Sequence, residues 1–139
     1  MAESIMVHLA KEAGLPLHIN SAATSREEIG NPPHPGTKRK LSEQGIPLVP
    51  HRAVQLRRED YDSYDLLVGM DSANKRNMLR ILDGDSQKKV HCLLDFTSSP
   101  RDIADPWYSG DFDLTYCDVS EGCSALLAHL LSNNWRKGK

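Results

Sequence analysis

Asp105 stands immediately before Pro106, Trp107 and Tyr108, so a carboxylate sits beside a rigid backbone and two aromatic rings. Asp-Pro is a common turn opener, and the residues alone leave a turn and a proton-transferring acid both open. The thiols are Cys92, Cys117 and Cys123. An odd count with no secretory signal favours reduced thiols over a disulfide framework. Cys117 and Cys123 lie in what reads as one helix, about 9 Å apart along its axis and beyond the reach of a bridge. His91-Cys92 offers two metal-ligating side chains, but neighbours on a strand point to opposite faces, and no second pair is spaced to complete a tetrahedral site. No metal is expected. Without a dinucleotide fingerprint or a P-loop motif, no nucleotide cofactor is expected either.

The elements that must position these groups alternate between helix and strand. Ile5, Met6, Leu9, Ala10 and Ala13 form one apolar stripe, which predicts an amphipathic helix over Ser4–Ala13 closed by Gly14. Leu15–Ile19 reads as a short strand. Thr24–Gly36, rich in Pro and Gly, is a loop. Thr37–Gln44 reads as a short helix stopped by Gly45, and Ile46–Leu56 as extended chain. Tyr64–Met70 is an apolar strand of the kind buried on both faces, with Asp71-Ser72 capping a helix that runs through Leu82. Val90–Phe96 is a second such strand, Ser98–Asp111 a long polar loop, and Phe112–Leu131 a terminal helix. Strands separated by helices predict a parallel sheet covered on both sides, an α/β/α sandwich. Ligands of such sheets bind outside the carboxyl ends of the strands, which makes the loops after Ser21, Met70 and Phe96 the candidates. Two of these are long enough to favour function over mere connection.

Composition excludes more than it selects. The chain has 139 residues, the size of one domain. Its 17 basic and 19 acidic residues leave a net charge of −2, with no electrostatic footprint for nucleic acid or an anionic membrane. No apolar run is long enough to span a bilayer, and no signal peptide is present. A cytoplasmic protein is expected.

Four stretches then fall into a familiar order: Asn20-Ser21-Ala22-Ala23-Thr24-Ser25, Glu28-Ile29-Gly30-Asn31-Pro32-Pro33, Met70-Asp71, and Asp105 through Phe112. They follow the landmarks of the low-molecular-weight protein tyrosine phosphatases, and the chain resembles that family along its length. The resemblance implies a single phosphotyrosine-phosphatase-I-like domain over residues 1–139, a three-layer α/β/α fold with a small parallel sheet. It makes Asp105 the general acid and base. Glu27, Glu28, Asn31, Trp107 and Tyr108 become walls of the substrate cleft, and Ser21 and His51 supports of the phosphate loop. Glu27 departs from the pattern, because relatives often carry an aromatic there.

A second departure is larger. Met1-Ala2-Glu3 resembles the residues that follow the family's phosphate loop, whose pattern is Cys, five residues, then Arg-Ser/Thr. The expectation is therefore an N-terminally truncated domain without its first, inner strand and without the loop. The family reaction uses a thiolate that attacks phosphorus and an aspartic acid that protonates the departing phenolate. Six residues after Cys92 is Ser98, six after Cys117 is Cys123, and six after Cys123 is His129. No cysteine here fits the nucleophile of that loop. The chain is expected to be inactive as it stands, although the parent enzyme would hydrolyse phosphotyrosine proteins or small aryl phosphates. The alternatives are a non-catalytic, partner-binding pseudophosphatase and an arsenate reductase-like relative. Self-association through an open sheet edge is also expected.

Overall fold

The computed structural model describes residues 1–22, 35–49, 54–103 and 112–132. The first apolar stripe forms α1 (Ala2–Glu12), which buries Ile5, Met6 and Ala10. Gly14 then turns to a φ of 68°, letting the Leu15 N–H donate to the Ala10 carbonyl at 2.9 Å and the Gly14 N–H to that of Lys11 at 3.2 Å. This left-handed closure satisfies carbonyls that the helix end leaves open, and glycine adopts it without a Cβ clash. Helix α2 (Pro35–Glu43) ends in the same way: Gly45 has φ 69°, and the Ile46 N–H reaches the Leu41 carbonyl at 2.9 Å.

A single turn, α3 (Asp60–Ser63), precedes strand β1 (Leu67–Gly69). Asp71 then caps α4 (Ser72–Leu82) as its sequence predicts, its Oδ1 accepting from the Asn74 N–H at 2.7 Å. Strand β2 (Val90–Cys92) runs parallel to β1, pairing Leu67 with Val90, Val68 with His91 and Gly69 with Cys92. The chain closes on the long helix α5 (Phe112–Ser132).

The sheet divides the core in two. Leu67 and Val90 pack with Met78 and Leu82 of α4 and with Leu56 and Tyr61. Leu66, Val68 and Met70 pack the opposite way, against a cluster that includes Ile5 and Met6 of α1 and Val119, Cys123 and Leu126 of α5. Alternate residues of β1 thus serve opposite faces, as a pleated strand buried on both sides requires. The result is the expected three-layer α/β/α arrangement with a small parallel sheet.

Three expectations need correction. Leu15–Ile19 joins no ladder, and the sheet among the described residues has two strands. Leu17 and Ile19 still pack half-buried against the core, so the apolar pattern reported burial, whereas a strand needs a hydrogen-bonded neighbour. The strand predicted over Val90–Phe96 stops at Cys92 because Leu93–Phe96 winds into a 3-10 turn, with Asp95 Oδ2 accepting from the Cys92 N–H at 2.9 Å. The Tyr64–Met70 stretch likewise contributes only Leu67–Gly69, in its second half, to the ladder.

Candidate functional site

Asp105, Trp107 and Tyr108, the cleft residues Glu27, Glu28 and Asn31, and His51 lie outside the described residues. The points where the chain leaves for these three segments are described, and each is tied down. Ser21, half-buried at the exit toward the first segment, donates its hydroxyl to Glu3 Oε1 at 2.8 Å. Val49, two residues before His51, donates its N–H to Ser4 Oγ at 3.0 Å. Glu3 and Ser4 belong to the first turn of α1, so one helix end holds the take-off of two of these segments. Partly free N–H groups and a positive dipole gather at such a helix start, an environment that favours anions.

The chain leaves toward Asp105 from Ile103, which lies against the end of β1. The Ile103 N–H donates to the Met70 carbonyl at 3.0 Å, and the Ile103 side chain is buried in the main core. Beside it, Asp102 Oδ1 accepts from both the N–H and the hydroxyl of Ser72, at 3.0 and 2.9 Å. Before its entry into the first of these segments the chain is also held to Tyr64: Asn20 Nδ2 donates to the Tyr64 hydroxyl at 2.7 Å, and the His18 ring stacks on it at 6.0 Å between centroids. The Ile103 exit lies beside the carboxyl end of β1, and the Ser21 and Val49 exits lie at the start of α1. Sequence reasoning missed Asp102, Ser72 and Glu3, whose partners are too distant in the chain to leave a local pattern.

The thiols are placed for packing. Cys123 is 1% exposed, and burial pushes its pKa up to about 12. Cys92 is buried as well, and its pKa is raised first by burial and then by the nearby Asp95. Its sulfur contacts the Asp71 carbonyl at 3.5 Å, while the His91 ring turns to Phe96 at 5.5 Å, so the His91-Cys92 pair does not converge on one point. Cys117 is exposed on α5. Among the described residues no three His, Cys, Asp or Glu side chains gather in a metal-binding group, and no helix is long and apolar enough to cross a membrane.

Comparison with known proteins agrees with this architecture. The family described as low molecular weight phosphotyrosine protein phosphatase matches residues 1–136. The low molecular weight protein-tyrosine-phosphatase YfkJ of Bacillus subtilis is 33% identical over 134 residues, covering 94% of this chain and 86% of the relative. PtpA of Staphylococcus epidermidis is 30% identical over 135 residues, covering 96% and 86%. The crystal structure of YfkJ superposes with a TM-score of 0.90 at 31% identity, over 95% of this chain and 86% of that one. A match over nearly the whole sequence, carried by the same fold, establishes that the chain belongs to the low molecular weight phosphotyrosine protein phosphatase family.

Proposed function

We propose that this protein serves phosphotyrosine hydrolysis, with Asp105 as general acid and base, and that the 139 residues alone do not complete the reaction. In the family reaction a thiolate attacks phosphorus, and the P–O bond to the phenol breaks. Asp105 gives its proton to the departing phenolate, and the resulting carboxylate then draws a proton from the water that hydrolyses phosphocysteine. Trp107 and Tyr108 would stack on the substrate ring, while Glu27, Glu28 and Asn31 shape the remaining wall. Ser21 and His51 would brace the phosphate loop. The substrate class is aryl phosphate, as phosphotyrosine in a protein or as a small molecule, and the cytoplasm is the proposed compartment.

One observation carries the second half of the proposal. No cysteine is followed six residues later by arginine, since those positions hold Ser98, Cys123 and His129. Burial of Cys92 and Cys123 supports it, because a nucleophilic cysteine needs thiolate character and access. Purified chain should show no vanadate-sensitive hydrolysis of p-nitrophenyl phosphate above background. Loss of nucleophile and phosphate cradle together removes at least about 10⁵-fold in rate. Robust turnover would overturn the proposal.

When a strand and a Cys-x5-Arg-Ser loop are joined ahead of Met1, turnover should return. Asp105→Asn should then lower it by roughly 10²- to 10⁴-fold on a poor leaving group, with binding nearly intact. An unchanged rate would reduce Asp105 to a turn residue. If the restored protein binds aryl phosphate without turning it over, the partner-binding reading takes precedence.

A further inference from the structure

We infer that Asp102 is a positioning residue for the segment that carries Asp105, an inference that rests on the reading of Asp105 as the acid. Ser72 is the first residue of α4, and its N–H is one of the donors that a helix start leaves without an intrahelical partner. Asp71 serves the Asn74 N–H from within the helix's own cap. Asp102 serves the Ser72 N–H from thirty residues away and takes the Ser72 hydroxyl on the same oxygen. Its carboxylate therefore fixes the chain against the α4 start at a place where negative charge is favoured.

The two neighbours of Asp102 make the attachment directional. The Ile103 N–H meets the Met70 carbonyl at 3.0 Å, and its side chain is 4% exposed. Arg101 reaches to a different element, its Nη2 donating to Asp118 Oδ1 at 2.8 Å and to Glu121 Oε1 at 3.1 Å on α5. Residues 101 and 102 thus grip α5 and α4 respectively. Asp105 follows Asp102 by three residues, within about 10 Å of chain. The exposed Asp102 carboxylate adds little to global stability, in keeping with the small worth of surface charge contacts. Its contribution is to location.

The test uses the 139-residue chain and Trp107 as reporter, with Trp135→Phe removing the other indole. Asp102→Ala should change the acrylamide quenching constant of Trp107 by about twofold, because the segment loses a local anchor. Far-UV dichroism and the urea midpoint should stay near those of the parent. Asp102→Asn retains an acceptor oxygen and should restore the parent value, and Ser72→Ala, which deletes one of the two donors, should fall between. Unchanged quenching in Asp102→Ala and Ser72→Ala would overturn the inference. So would a change in Asp102→Ala that merely tracks a lowered urea midpoint, or one that Asp102→Asn fails to reverse. Because the readout is fluorescence, a kinetic result that removed Asp105 as the acid would leave the anchor itself still measurable.

Discussion

Gly122 of α5 passes so close to Leu93 that a Cβ built on it would stand 2.5 Å from the Leu93 Cγ. The contact joins the long helix to the turn that ends β2, and Leu93 cannot retreat because it is 2% exposed. Alanine would gain about 1 kcal/mol in helix propensity and lose about 1–3 kcal/mol to overpacking. Gly122→Ala should therefore destabilise the protein, by about 1 kcal/mol net, read as a lower urea midpoint with an unchanged slope. A stabilised variant would mean that Leu93 repacks without strain.

Tyr61 and Asp85 set the acid limb of stability. Asp85 Oδ1 accepts from the Tyr61 hydroxyl at 2.7 Å and from the Lys89 N–H at 2.7 Å, and Oδ2 accepts from the Val90 N–H at 3.2 Å. Burial alone would raise the Asp85 pKa, but these donors outweigh it and hold the carboxyl below its usual value. A depressed folded pKa contributes stability that is fully present above the unfolded pKa and lost as pH falls through the folded one. Asp85→Asn should flatten the fall in urea midpoint below about pH 4, and Tyr61→Phe should weaken the same dependence. Identical acid limbs for parent and Asp85→Asn would show that other carboxylates control it.

What could be read from the sequence depended on how local its physical cause was. The Asp71 cap of α4 and the glycine closures after α1 and α2 rest on neighbours within a few residues, and they were legible. The end of β2 was not, because an apolar run such as Val90–Phe96 continues as readily into a 3-10 turn as along a strand. The Tyr61–Asp85 and Ser72–Asp102 bonds span 24 and 30 residues, with no pattern between them. Of the candidate site residues, Ser21 is the one among the described residues, and its hydroxyl donates to Glu3. The acid and cleft residues were assigned only through the order of their motifs, and they fall outside the described residues.

The three thiols should separate sharply in reactivity. Cys117 is exposed on α5, while Cys92 and Cys123 are buried and their pKa values are raised, the latter to about 12. Since the thiolate is the reactive species, a disulfide reagent at pH 8 should titrate one thiol quickly. The other two should react at least about 100-fold more slowly until urea is added. Cys117→Ser should abolish the fast phase. A fast phase that survives would place an accessible thiolate at Cys92 or Cys123 and reopen the question of a nucleophile within this chain.

One side of β1 faces no paired strand among the described residues. The Leu67 N–H donates to the Lys89 carbonyl at 2.9 Å, so in a parallel ladder the N–H and C=O of Val68 point away from β2. Among the described residues no strand pairs on that side. Val68 is only half-buried although it packs against the main core, and Leu17 and Ile19 are in the same position. A parallel edge backed by apolar side chains is a template for another chain. Sedimentation velocity should reveal concentration-dependent self-association in the high-micromolar range, and Val68→Lys should suppress it by placing charge at the edge. A monodisperse monomer with a sharp unfolding transition at those concentrations would mean that β1 is covered within one molecule.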